Sequence, residues 1–90
     1  LHDLVKAATK PVIVAGDLNN LWGEKEMYLF MQAAGLQSAN EERRPSYPSH
    51  APRKELDFIL YGPGLRPRGF DIPAVRFSDH LPLICEFEPR

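Results

Sequence analysis

The run Val-Ile-Val-Ala at residues 12–15 constrains the fold of this chain more than any other stretch. Three of its four residues are β-branched, and it is apolar at both odd and even positions, which is typical of a strand covered on both faces. The run ends abruptly at Gly16, Asp17 and Asn19. The sequence therefore predicts a buried strand that delivers a carboxylate and a carboxamide into a turn.

The remaining apolar patterns predict a small domain of helices and strands. Residues 1–9 and 24–34 have the apolar spacing of amphipathic helices, and Gly35 can end the second one in the left-handed conformation. Residues 37–55 are polar and contain prolines. The element order predicts an α/β (α+β) fold with a mixed, mainly antiparallel sheet and helices on one face. The predicted strands are residues 12–15, 56–61, 68–73 and 81–87.

Length and charge narrow the class of protein. Ninety residues, 43% of them apolar, suit one small globular domain. A net charge of −1 gives no overall field that would favour nucleic acid or a membrane surface. No apolar run approaches the roughly 20 residues of a membrane span. The single cysteine, Cys85, excludes an internal disulfide and is typical of a reducing compartment.

Polar residues interrupt this apolar scaffold at three places where a predicted strand meets a loop. The first is Asp17 with Asn19, the second is Asp57, and the third is Ser-Asp-His at residues 78–80. Together they offer oxygen ligands for a hard cation and a base that titrates near neutral pH. Metal-assisted hydrolysis of a phosphate ester needs these groups to neutralise charge and to orient and deprotonate a water.

Each of these features also has an ordinary structural interpretation. An Asp-x-Asn after a strand is often an Asx-turn or a helix cap, and a lone aspartate at the head of a strand is often turn chemistry. The Ser-Asp-His segment can be a simple cap, with His80 a packed histidine. No single feature separates the two interpretations, and their combination in order favours a site.

The segments VIVAGDLNN, SYPSHAPRKELDFIL and FSDHLPLICEF together resemble the C-terminal half of the endonuclease/exonuclease/phosphatase superfamily. These proteins are the magnesium-dependent phosphodiesterases and phosphatases related to DNase I. The resemblance covers nearly all of residues 1–90, as the C-terminal portion of one domain. It implies half of a four-layered DNase I-like sandwich.

The resemblance also implies a role for each matching residue. Asp17 corresponds to a carboxylate that positions or activates the attacking water and contacts the metal, and Asn19 to an amide that hydrogen-bonds a phosphate oxygen. His80 corresponds to a base or electrostatic stabiliser beside the scissile phosphate, with Asp57 as its partner. Asp79 corresponds to a metal ligand. The implied cofactor is Mg²⁺ or Mn²⁺.

The chain departs from the family pattern in two respects. It has Glu55 two positions before Asp57, where many relatives have a basic residue. The first half of the family fold supplies an asparagine, the principal metal-binding glutamate and a second histidine, and these 90 residues contain no equivalents. We therefore expect a fragment whose apolar sheet face packs against the missing N-terminal half or a second copy of the chain.

Two functions remain open at this point. The first is a metal-dependent hydrolase of phosphate esters, a nuclease, phosphodiesterase or phosphatase, for which this chain supplies the C-terminal half of the active site. The alternative is a non-catalytic fragment that acts as a structural or dimerising domain. Nucleic acid is one candidate substrate, because residues 37–55 combine cations with an aromatic ring, although a solvated loop explains the same pattern. The residues concerned are Arg43, Arg44, Arg53, Lys54 and Tyr47.

Overall fold

The computed structural model describes residues 11–18, 23–76 and 78–90. This part of the chain contains one α-helix and five strands. The helix predicted over residues 1–9 lies outside the described residues. No helix of the described part is long and apolar enough to cross a membrane. In chain order the elements are β1 (Ile13–Gly16), α1 (Glu24–Ala34), β2 (Gln37–Ser38), β3 (Phe58–Tyr61), β4 (Leu65–Asp71) and β5 (Ile84–Pro89).

Helix α1 begins and ends where its sequence predicts. Glu24 and Glu26 lie in the first turn, where negative charge complements the helix dipole. Gly35 ends the helix in the left-handed conformation, with φ 70° and ψ 33°. The N–H of Leu36 then donates to the carbonyl of Met31 at 2.9 Å, which folds the chain back over the helix end.

The first sheet has the order β1-β3-β2, and both pairings are antiparallel. In the ladder between β1 and β3, Val14 pairs with Leu60 and Gly16 pairs with Phe58. The last residue of β1 therefore lies opposite the first residue of β3. This register brings the loop that leaves β1 beside the segment that enters β3.

The second sheet pairs β4 with β5, also antiparallel, with an irregularity between Pro67 and Gly69. The prediction of one mixed sheet is therefore wrong for the described strands, which form two antiparallel sheets. The turn between Tyr61 and Leu65, in which Gly64 has φ 97°, connects the two sheets. Strand β4, which follows this turn, pairs with β5 and not with β3.

Strand pairing also moves the predicted strand bounds. The strand predicted over residues 56–61 begins only at Phe58, and the one predicted over 68–73 runs instead from Leu65 to Asp71. The strand predicted over 81–87 becomes Ile84–Pro89, because the N–H of Leu81 donates to a loop carbonyl rather than to a neighbouring strand. Along this strand Ile84 and Glu86 are exposed, whereas Cys85 and Phe87 are half-buried.

The core lies between α1 and one face of the first sheet. Met27 from the helix and Leu60 from β3 are both completely buried. Burial of such side chains is the main driving force that holds helix and sheet together. The buried cluster consists of Leu18, Met27, Ala34, Leu36, Phe58 and Leu60.

The opposite face of the first sheet is only partly covered. Tyr61 packs against Phe87 of the second sheet, with ring centroids 5.5 Å apart. Ile13 is 51% exposed, and Ala15 is also exposed. The prediction that β1 is covered on both faces is therefore wrong, because within the described residues the second sheet does not extend over β1.

Candidate active site

The antiparallel register of the first sheet places two carboxylates at one sheet edge. Asp17 follows directly after β1, and Asp57 directly precedes β3. Because Gly16 pairs with Phe58 in an antiparallel ladder, the residue after Gly16 and the residue before Phe58 are neighbours in space. Two aspartates that lie 40 positions apart in the sequence are thus held together by ladder hydrogen bonds.

His80 reaches the same edge from the segment before β5. Two backbone hydrogen bonds fix this segment: the N–H of Leu81 donates to the carbonyl of Ser46, and the N–H of Ser49 donates to the carbonyl of Asp79, both at 2.7 Å. The hydroxyl of Ser78 donates to the His80 carbonyl at 2.9 Å. These hydrogen bonds hold the loop that carries His80 in a fixed position.

His80 contacts both aspartates through its two ring nitrogens. Nδ1 lies 2.6 Å from Oδ2 of Asp57, which is a short hydrogen bond, and Nε2 lies 3.7 Å from Oδ2 of Asp17. A carboxylate only accepts hydrogen bonds, so the neutral ring carries its proton on Nδ1. One ligand atom from each of the three residues lies within 4.8 Å of the others.

The carboxylates raise the pKa of His80 above its ordinary value. The hydrogen bond to Asp57 is the largest cause, and the negative charges of Asp57, Asp17 and Asp79 act in the same direction. Partial burial opposes them, because it disfavours the charged ring. The arrangement therefore favours imidazolium, which can donate a hydrogen bond from Nε2.

We expect a ¹H–¹⁵N NMR titration of the protein, with chelator present, to give His80 a pKa above that of an ordinary histidine. Asp57→Asn should move this pKa down, because it removes the charge-assisted acceptor at Nδ1. Asp71→Asn, which changes an exposed aspartate, is the matched control. Because the pKa of His80 is raised in the folded state, protonation of His80 stabilises the folded protein at low pH. This contribution to the free energy of unfolding is lost as the pH rises through the folded-state pKa. An unchanged pKa of His80 in Asp57→Asn would show that Asp57 is not the main cause of the raised pKa.

Asp17 has an oxygen that the described residues do not satisfy. Its Oδ1 is buried and has no hydrogen-bond partner in the described part of the chain. A buried carboxylate oxygen without a donor is costly, and metal ions commonly supply the missing interaction. Two carboxylates and one imidazole form a donor set that suits a divalent cation when the ring is neutral, because imidazolium has no free nitrogen lone pair. The cluster of Asp17, Asp57 and His80 can therefore hold a metal ion.

The other two predicted site residues are Asp79 and Asn19. The side chain of Asp79 is exposed and is not a member of the close three-residue group. Its backbone carbonyl accepts from Ser49, and its predicted role as a metal ligand stays a prediction. Asn19 lies outside the described residues, so its predicted contact with a phosphate oxygen also stays a prediction.

Two neighbours complete the surroundings of His80. The ring of Tyr47 packs against the imidazole, with centroids 4.8 Å apart and planes at 49°. The hydroxyl of Ser46 donates to Oδ2 of Asp57 at 2.7 Å, and Ser46 is 1% exposed. The sequence identified Tyr47 as the aromatic ring among the cations of residues 37–55, but it gave Ser46 no role. A serine in a polar, proline-containing segment has no periodicity that would mark it as buried.

The basic surface predicted for a polyanion is partly neutralised. Arg43 donates to Glu24 and Glu55, and its guanidinium also lies over the ring of Tyr28. Arg44 forms a longer ion pair at 3.5 Å with an exposed aspartate. The other two cations of this segment are exposed. Glu55, at the position where the resemblance implies a basic residue, thus serves as an ion-pair partner of Arg43.

Comparison with known proteins identifies one protein family and several similar proteins. The sequence pattern of the Endonuclease/Exonuclease/phosphatase family matches residues 2–80. UPF0294 proteins of Yersinia pseudotuberculosis and Yersinia pestis are each 40% identical to the chain over 92 residues, covering 99% of the chain and 34% of the relative. A UPF0294 protein of Yersinia enterocolitica is 38% identical over 82 residues, covering 88% of the chain and 30% of the relative. No solved structure matches.

These matches agree with the site geometry and confirm the resemblance carried by the three sequence segments. The chain spans about a third of the length of the curated relatives that it matches. The family pattern, by contrast, covers most of the chain and includes all of the residues gathered around His80. It is a family of phosphoester hydrolases, and it implies a DNase I-like fold. This chain belongs to the endonuclease/exonuclease/phosphatase family.

Proposed function

We propose that this chain is the C-terminal portion of a metal-dependent phosphoester hydrolase and carries half of its active site. The contact of His80 with Asp57 and Asp17 supports this proposal most directly. In this proposal residues 1–90 form part of a DNase I-like sandwich, and the α1 side of the first sheet is one of its outer faces.

Each member of the cluster has a chemical role in this proposal. Asp57 holds the imidazole by its Nδ1 proton, so that Nε2 points to the side on which Asp17 lies. The protonated ring donates from Nε2 to a phosphate oxygen and stabilises the negative charge that develops there. Asp17 orients the attacking water and accepts its proton. The raised pKa of His80 favours this stabilising role over that of a base.

We propose Mg²⁺ or Mn²⁺ as the cofactor, with Asp17 as a ligand through its unsatisfied Oδ1. Asp57 is a poorer ligand, because its Oδ2 already accepts hydrogen bonds from Ser46 and His80. Asp79 remains the second proposed ligand. The bound ion would neutralise charge on the substrate phosphate and lower the pKa of a coordinated water.

The test is hydrolysis of bis(p-nitrophenyl) phosphate and p-nitrophenyl phosphate by the full-length protein. We expect release of nitrophenol with Mg²⁺ or Mn²⁺, loss of activity with EDTA, and recovery when the metal is restored. The 90-residue chain by itself should be far less active, and adding the remaining part of the protein should restore activity. Absence of metal-dependent hydrolysis by the full-length protein would favour the alternative of a structural or dimerising domain.

Nucleic acid is the more specific substrate that one observation favours. Residues 47–54 form a hairpin that is closed by a short antiparallel bridge between Tyr47 and Lys54. Arg53 and Lys54 are exposed on this hairpin, and the ring of Tyr47 packs against His80. Cations beside an aromatic ring suit a phosphate backbone with stacked bases. Cleavage of a DNA or RNA oligonucleotide that weakens steeply with added salt would support this substrate class over a small ester.

We also propose that the partly covered face of the first sheet packs against the remainder of a longer protein. This face contains Ile13 and Ala15, and a groove of about 260 Å³ runs between Ile59 and Leu83. Apolar surface of this kind normally marks a contact. The relatives are about three times as long as the region matched, which makes the rest of the chain the favoured occupant.

Sedimentation of the isolated 90-residue chain tests this assembly. We expect self-association or aggregation by itself, and a one-to-one complex when the rest of the protein is added. Ile13→Lys should abolish the complex, whereas Leu29→Lys, a similarly exposed residue on α1, should not. A stable dimer that persists in the presence of the rest of the protein would indicate a second copy as the occupant. A well-folded monomer at micromolar concentration would contradict both.

A further inference from the structure

Ser46 uses every polar group that it has, although it is almost completely buried. Its N–H donates to the carbonyl of Lys54 at 2.9 Å, and its carbonyl accepts from the N–H of Leu81 at 2.7 Å. Its hydroxyl donates to Oδ2 of Asp57 at 2.7 Å. One residue therefore joins the hairpin, the segment before β3 and the segment that carries His80.

The side-chain bond of Ser46 meets the same oxygen that His80 uses. Oδ2 of Asp57 accepts from the Ser46 hydroxyl and from Nδ1 of His80, at 2.7 Å and 2.6 Å. The terminal torsion of an aspartate is otherwise soft. Two donors from different directions fix the rotation of the carboxylate and therefore the direction in which it holds the imidazole.

We propose that Ser46 is a positioning residue, whose hydroxyl fixes the Asp57 carboxylate and through it the orientation of His80. This role deepens the proposed function and rests on it. The backbone bonds of Ser46 hold the loops together whatever its side chain is. The hydroxyl adds only the contact with Asp57, so removing it separates positioning of the carboxylate from general support of the fold.

The experiment compares Ser46→Ala with Ser38→Ala in the full-length protein. Ser38 is the matched control, because its hydroxyl oxygen also takes part in one side-chain hydrogen bond, accepting from the N–H of Asn40 at 3.2 Å, in β2 and outside the site. For Ser46→Ala we expect kcat on bis(p-nitrophenyl) phosphate to fall about 10- to 100-fold with KM nearly unchanged. Ser38→Ala should keep the wild-type kcat.

A second readout does not depend on activity. The ¹⁵N shifts of the His80 ring, measured with chelator at a pH where the ring is neutral, report which nitrogen carries the proton. The wild-type ring should be protonated on Nδ1, and Ser46→Ala should gain a fraction protonated on Nε2, the form that free imidazole side chains favour. Inactivity of the wild-type protein would remove the proposed function, while this ring measurement would still decide the role of Ser46.

An isosteric pair covers the case in which Ser46→Ala does not fold. Ser46→Thr and Ser46→Val have nearly the same shape and differ in the hydroxyl. We expect only the threonine variant to retain the Nδ1 proton and the higher kcat. Equal behaviour of the two variants, or wild-type values for both readouts in Ser46→Ala, would overturn the proposal.

Discussion

Replacing His80 with alanine in the full-length protein will lower kcat on a phosphodiester by about 10²- to 10³-fold, the range found when one hydrogen-bond donor to a developing negative charge is removed. The imidazole is the group that meets both carboxylates at the sheet edge, and its Nε2 is the free end of the pair with Asp57. The measurement is kcat and KM at saturating Mg²⁺. KM should change much less than kcat, because the lost interaction forms with charge that develops in the transition state.

His50→Ala is the control for this prediction. His50 is exposed near the tip of the hairpin and does not belong to the cluster of His80 with the two aspartates, so its removal should leave kcat unchanged. Circular dichroism of both variants checks that α1 and the sheets are retained. Activity of His80→Ala within a few-fold of wild type would remove His80 from the chemistry.

Asp17→Asn should give the second large effect, a loss of activity of about 100-fold or more at any Mg²⁺ concentration. The substitution keeps the size of the side chain but removes the charge from the buried oxygen that no described residue satisfies. It also removes the acceptor for the proton of the attacking water. Isothermal titration calorimetry with Mg²⁺ should show weaker binding than in the wild type, because an amide oxygen is a poorer ligand than a carboxylate.

Asp71→Asn is the matched control for Asp17, because it removes one exposed carboxylate from the end of β4. It should change neither activity nor Mg²⁺ binding. Normal Mg²⁺ binding with lost activity in Asp17→Asn would limit Asp17 to the handling of water. Normal binding together with normal activity would contradict both roles.

Local signals predicted the helix better than the strands. The apolar spacing of residues 24–34 and the glycine that follows are enough to define α1, because helix hydrogen bonds form within the segment. Strand ends depend on partners elsewhere in the chain. Leu81 belongs to an apolar alternating run, yet its N–H bonds to Ser46 and leaves the ladder to begin at Ile84. The division into two sheets has the same origin, since no local pattern specifies which strands will pair.

The sequence likewise predicted some residues of the site and not others. Asp17, Asp57 and His80 were found from their places beside apolar runs and from the family resemblance, and the structure brings the three together. Ser46 was not found, because its burial arises only when the hairpin folds against the segment before β3. Sequence patterns identify reactive groups more readily than the residues that hold them in place.

The ladder between β1 and β3 has a consequence for how this domain can vary among its relatives. The spacing of the two carboxylates is set by the pairing of Gly16 with Phe58, and not by the length of chain between them. Insertions or deletions in α1 or in the turn that follows it should therefore leave that spacing intact, provided that the ladder survives. A register slip of a single residue, by contrast, would turn one carboxylate to the opposite face of the sheet and dismantle the cluster.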